Sequence, residues 1–204
     1  HGNAHAQSWQ AIQQGPDTAT LTLDSPAGPA WPWHYTASLR FELTPSQLRV
    51  GLTLCNADQR TMPAGMGLHP YFRHDPAARL TYGATTLWPA TQDYLPGAPR
   101  ALLANEQYET PRCLPDGGMT DYVGGWDGTA IVDLPQGSQL SMRADPVFGH
   151  LVVHRPDTPV YLCLEPVSHV ADGFNLATHG VANTGTHLLE PGDSMNGEIR
   201  FNLA

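Results

Sequence analysis

Apolar and polar residues alternate with a period of two over much of this chain. Ala37, Leu39, Phe41 and Leu43 alternate with Ser38, Arg40 and Glu42. Beyond the turn Thr44-Pro45-Ser46-Gln47, Leu48, Val50, Leu52 and Leu54 alternate with Arg49, Gly51 and Thr53. Two such runs around a Pro-bearing turn predict an antiparallel hairpin with one buried face. A weaker alternation predicts strands over 80–87 and 198–203. The stretches 149–154 and 160–165 are apolar on both faces, as strands between two layers are. Turn signals recur at Pro63-Ala64-Gly65, Pro96-Gly97, Pro115-Asp116-Gly117-Gly118, Pro135-Gln136-Gly137 and Pro191-Gly192-Asp193. No stretch carries a 3.6-residue apolar stripe over three turns, and 111–126 reads as a long polar loop. The expectation is one all-β domain over 1–204, a large antiparallel β-sandwich.

Composition narrows the partners. Charged residues make up 14% and hydrophobic ones 41% of the 204 residues, which suits a folded domain. The net charge of −9 disfavours nucleic acid and anionic membrane as partners. No apolar run approaches a membrane span and no signal peptide opens the chain. Cys55, Cys113 and Cys163 imply no disulfide framework, so the expected location is cytoplasmic. Oligomeric state is unreadable. The opening residues lack an initiator methionine and look like the interior of a longer protein.

Two titratable groups stand in apolar surroundings. One is His69, in Gly67-Leu68-His69-Pro70-Tyr71-Phe72; the other is Glu165, in Val160-Tyr161-Leu162-Cys163-Leu164-Glu165-Pro166. Alternation puts Tyr161, Cys163 and Glu165 on one face and Val160, Leu162 and Leu164 on the other. A buried Glu165 would have a raised pKa and act as a base near neutral pH. The alternative is that Glu165 ends its strand and faces water. Pro70 places the His69 strand at a sheet edge or at a bulge. The alternative there is a core histidine bonded to backbone. His150, His154, His169 and His187 lack tight metal-ligand spacing, so no metal is expected. Asp121, Asp127 and Asp133 admit ordinary turn roles. Trp88 and Trp126 suit either a sugar face or the core.

Together these segments resemble the aldose 1-epimerase (galactose mutarotase-like) family. Gly67–Phe72 is similar to the family's G-x-H-x-Y-F stretch. Glu165-Pro166 followed by Asp172-Gly173-Phe174-Asn175 resembles its E-P…D-A-x-N stretch, with glycine for alanine. Leu189-Glu190-Pro191-Gly192-Asp193 resembles the turn before its last strand. Thr120-Asp121-Tyr122 resembles its substrate-binding aspartate, although Gly124 stands where an aromatic residue often follows. His1-Gly2-Asn3-Ala4 with Trp9 resembles its H-G-x-A…W stretch. The resemblance implies the galactose mutarotase-like supersandwich, here without its N-terminal strands. It implies a cofactor-independent isomerase acting on a small-molecule sugar. His69 is then the general acid, Glu165 the general base, and His1 and Asp121 bind substrate. The nearest alternatives are a hexose-6-phosphate 1-epimerase and a non-catalytic carbohydrate-binding module on the same fold. An uncharacterised lyase or isomerase sharing the sandwich is a third.

Overall fold

The protein is described here from a computed structural model covering residues 1–158 and 160–204, without the side chains of residues 13 and 14. In chain order the first strands are β1 (Gln10–Gly15), β2 (Thr18–Ser25), β3 (Tyr35–Leu43), β4 (Gln47–Asn56), β5 (Met62–Ala64) and β6 (Tyr71–Arg73). Next come β7 (Arg79–Tyr82), β8 (Thr86–Pro89), β9 (Arg100–Ala101), β10 (Tyr108–Arg112) and β11 (Met119–Gly124). The last are β12 (Thr129–Asp133), β13 (Gln139–Ala144), β14 (His150–Arg155), β15 (Tyr161–Val167), β16 (His187–Leu189) and β17 (Ser194–Leu203). A six-residue helix, α1 (Gly173–Thr178), lies between β15 and β16.

Two antiparallel sheets pack face to face. One has nine strands in the order β1-β2-β3-β4-β17-β13-β12-β7-β10. The other has six, in the order β6-β15-β14-β11-β8-β9. The main core lies between them. Val50, Leu52, Leu80, Met142 and Ile199 enter from the first sheet, and Val123, Leu151, Val153, Leu162 and Leu164 from the second. A smaller pair, β5 and β16, shares a second cluster with Leu23, Tyr35 and Met195. No helix among the described residues is long and apolar enough to cross a membrane.

The expected hairpin is β3–β4, paired from Tyr35↔Asn56 to Leu43↔Leu48. The expected strands at 149–154, 160–165 and 198–203 fall in β14, β15 and β17. Two expectations need correction. The run 80–87 is not one strand: β7 belongs to the nine-stranded sheet and β8 to the six-stranded one. The chain crosses between them at Gly83, where a Cβ would stand 2.6 Å from Asp127 Oδ2. Nor is 111–126 one loop, since β10 ends at Arg112 and β11 pairs with both β8 and β14. The turn between them lacks strand structure, and buried Arg155 fastens it by donating to the carbonyls of Pro115 and Gly117. Trp88 and Trp126 are core residues, 1% and 6% exposed, so neither is available to a sugar.

One register decides what the six-stranded sheet presents. Gly67 bridges to Val167, and Tyr71, Phe72 and Arg73 pair with Cys163, Leu162 and Tyr161. These pairs keep a constant register, so His69 stands level with Glu165 across the strands. Pro70 has no N–H to give the ladder, which is why regular pairing pauses there and why this strand lies at the sheet's edge. Gly67 is a contact point: a Cβ would lie 2.8 Å from the Pro166 carbonyl and 2.6 Å from Val167 Cγ1. We therefore expect Gly67→Ala to push the edge strand from β15 and cost about 1–3 kcal/mol. Gly149→Ala, with nothing within 4 Å of its new Cβ, serves as the control. Urea unfolding midpoints check the pair; equal midpoints would contradict the account.

Candidate active site

Alternation along β14 and β15 sends Leu151, Val153, Leu162 and Leu164 into the core. The opposite, outer face of the sheet therefore carries Tyr161, Cys163 and Glu165, with Tyr71 and Arg73 beside them on β6. The pairs Glu165↔Val152 and Val152↔Tyr122 form one row, which His69 extends. Tyr71↔Cys163↔His154↔Thr120 form the next row. One end of this face is roofed. Val170, Leu176 and Val181 of the α1 region pack on Trp88, Tyr122 and Val152. The end holding His69, Tyr71 and Tyr161 lies beyond that roof.

His69 Nε2 and Glu165 Oε1 are 3.4 Å apart. This is looser than a tight ionic hydrogen bond, about 2.7–2.9 Å. Glu165 is only 9% exposed, and burial pushes its carboxyl up to about 7. Burial likewise lowers the pKa of His69. Both shifts favour the neutral forms, so near neutral pH the pair tends to hold a single proton. Cys163 is fully buried beside them, and burial pushes its thiol up to about 12.

Aromatic rings frame the pair. His69 is stacked between His1, at 5.1 Å, and Tyr71, at 4.6 Å, with interplanar angles of 18° and 11°. Tyr71 meets Tyr161 edge-on at 5.0 Å and is 63% exposed. His154 lies 6.1 Å from the Tyr161 ring, and its Nδ1 shares a 2.8 Å hydrogen bond with Thr120 Oγ1.

The structure thus brings His69, Glu165 and His1 together. It does not bring Asp121. That residue pairs with Val153 and shares its strand face with Val123, so its side chain points between the sheets. Burial raises its pKa, and its charged neighbours there are Glu106 and Arg100. The polar groups that β11 and its neighbour offer this face are Thr120 and His154; the sequence reading weighed His154 only as a metal ligand and quoted Thr120 only beside Asp121. Strand alternation from Tyr122 would have found Thr120; pairing with β14 was needed for His154. One further grouping lay outside sequence spacing. The ligand atoms of His69, Cys163 and Glu165 lie within 4.8 Å of one another. Cys163 and Glu165 show the i, i+2 spacing of one strand face, but His69 joins them only through sheet pairing. Asp127 keeps its turn role, its Oδ1 accepting from the Thr129 N–H at 2.9 Å.

The family model described as aldose 1-epimerase matches residues 1–202. The uncharacterized protein YphB of Escherichia coli K12 is 28% identical over 212 residues, covering the whole chain and 71% of its own length. A solved structure from Escherichia coli K12, provisionally assigned as an aldose 1-epimerase, superposes with a TM-score of 0.89. It is 28% identical and matches all of this chain against 71% of its own. A galactose mutarotase-like protein from Clostridium acetobutylicum shares the fold at a TM-score of 0.84 and 16% identity, all of this chain matching 68% of that one. The chain belongs to the aldose 1-epimerase family.

Proposed function

We propose that the chain interconverts the α and β anomers of an aldose, with Glu165 as general base and His69 as general acid. The observation that carries this reading is their 3.4 Å separation on the outer sheet face. In a pyranose, the hydroxyl oxygen to be deprotonated and the ring oxygen to be protonated are bonded to the same carbon. An acid and a base a few ångströms apart can therefore address both at once.

Glu165 takes the proton of the C1 hydroxyl as His69 gives a proton to the ring oxygen. The C1–ring oxygen bond breaks and a free aldehyde forms. Rotation about C1–C2 exposes the other carbonyl face. On closure His69 recovers its proton from the attacking hydroxyl and Glu165 returns one to the carbonyl oxygen. The protein ends in its starting state and nothing is oxidised or reduced. His1, stacked on His69, binds the sugar or shares the acid role. His154 and Thr120 offer hydrogen bonds to hydroxyls farther along, and the Tyr71 and Tyr161 rings offer apolar contact to the sugar's C–H face.

A second reading has one observation behind it. Of the three arginines flanking the His69 segment, Arg73 lies on the same outer face, opposite Tyr161. Arg60 is engaged by Asp58 and Trp33 elsewhere, and Arg79 belongs to the other sheet. A phosphate at the far end of a hexose would suit Arg73. If it does, glucose 6-phosphate is used more efficiently than glucose and Arg73→Ala raises KM for the phosphate ester alone. If free aldoses are the substrates, Arg73→Ala leaves their KM unchanged.

Polarimetry of fresh α-D-glucose and α-D-galactose tests the main reading. Each proton-transfer group typically contributes about 10²–10⁴-fold. Glu165→Gln and His69→Ala are therefore each expected to lower kcat at least about a hundredfold. A folded and fully active Glu165→Gln variant would sink the assignment, and sugar binding without faster mutarotation would favour the binding module.

The pH dependence follows from the two shifts. Catalysis needs Glu165 ionised and His69 protonated, although burial favours the reverse. Both arrangements hold one proton, so kcat/KM should be bell-shaped, its alkaline limb falling through about pH 7 and its acid limb set by the lowered pKa of His69. A flat profile from about pH 5 to 9 would contradict the pair. Stability should move in a linked way. A carboxyl at about 7 in the fold but 4.5 unfolded makes wild-type stability fall as pH rises between those values. Glu165→Gln removes that loss. Its Tm relative to wild type should therefore climb from pH 4.5 to pH 8, as calorimetry can check.

A further inference from the structure

We propose that His69, Cys163 and Glu165 form a site for a borderline-soft divalent cation, zinc in particular, on the outer face of the six-stranded sheet. Their ligand atoms lie within 4.8 Å of one another. Around a tetrahedral zinc ion, bond lengths to N, O and S place ligand atoms about 3.3–3.6 Å apart. His69 Nε2 and Glu165 Oε1 already stand at 3.4 Å. The Cys163 Sγ completes the cluster within the same 4.8 Å span.

The donor set selects the metal. One imidazole, one thiol and one carboxylate suit zinc or cobalt, whereas magnesium and calcium take oxygen ligands and avoid thiols. Cys163 is wholly inaccessible and Glu165 is 9% exposed, so a cation there sits in a largely desolvated site. A cation there replaces lost hydration with three protein ligands. On binding, bonds form from the metal to the His69 nitrogen, the Cys163 sulfur and a Glu165 oxygen, and both the Cys163 thiol proton and the proton shared by the His69–Glu165 pair leave to solvent. Three protein ligands leave a fourth position for water or a sugar oxygen.

Binding itself does not depend on the epimerase reading; its consequence does. A cation held by His69 and Glu165 ties up both groups that would move protons. Zinc is then a reversible inhibitor of mutarotation, lifted by a chelator.

Cobalt(II) is the probe that separates the two claims. Added to the metal-free full chain, it should bind one equivalent and produce a thiolate-to-cobalt charge-transfer band, displaced by zinc and untouched by magnesium. That band reports sulfur ligation, so a surface histidine pair such as His1 and His5 cannot mimic it. Cys163→Ser should abolish the band, while Cys113→Ser and Cys55→Ser keep it. Loss of an outer-sphere partner commonly weakens metal affinity about 10–100-fold, so loss of a direct ligand should cost at least about tenfold. Glu165→Gln should therefore weaken cobalt binding by at least about tenfold, with far-UV circular dichroism unchanged. No thiolate band in the wild type, or a band lost in Cys113→Ser and kept in Cys163→Ser, would overturn the site. A band without zinc inhibition of mutarotation would leave the site standing and overturn the inhibition. A protein with the band but no mutarotation of any aldose would overturn the epimerase reading instead.

Discussion

The structure depends on one register, that of the short edge strand β6 against β15. Gly67↔Val167 on one side and Tyr71↔Cys163 on the other hold it, and Pro70 interrupts the ladder without shifting it. A slip of one residue would turn Tyr71 and Arg73 into the core and Phe72 out of it. The packing of Phe72 against the main core opposes that slip. Correct register is also what sets His69 level with Glu165. Packing energy thereby specifies a contact that is itself unfavourable, since Glu165 is buried at the expense of its ionised form.

The two faces of the six-stranded sheet divide the work. The inner face packs its apolar side chains into the sandwich core. The outer face carries a roof at one end, where α1 and its flanks cover Trp88 and Tyr122, and a set of polar and aromatic side chains at the other. The roof leaves exposed Tyr71 as the outermost ring of the stack that begins at His1. Sites of this kind need a rigid backing sheet with one face spared from packing, and β14 and β15 supply it.

Much of this was legible in local pattern. Period-two alternation located β3, β4 and β17, runs apolar on both faces located β14 and β15, and the side-to-side order within β15 grouped Tyr161, Cys163 and Glu165. Pro70 signalled an edge. What local pattern lacked was the partner of each strand. The run 80–87 kept its period while changing sheets at Gly83, because a glycine crossover leaves the alternation intact. Asp121 was expected to bind substrate because Thr120-Asp121-Tyr122 resembles a family motif, yet its pairing with Val153 turns it inward. His154 and Thr120 became site residues only once β11 and β14 were neighbours. The His69–Cys163–Glu165 grouping spans nearly a hundred residues of chain, so no spacing rule reveals it.

The central claim is that burial beside His69 converts Glu165 into a base poised near neutral pH. The direct measurement is a carbon-13 titration of glutamate carboxyl groups by nuclear magnetic resonance, with Glu165→Gln identifying the signal. The account predicts a resonance missing from the variant that titrates at about 7 in the wild type. A midpoint near the ordinary value of 4.5 would show a solvated carboxylate and contradict it.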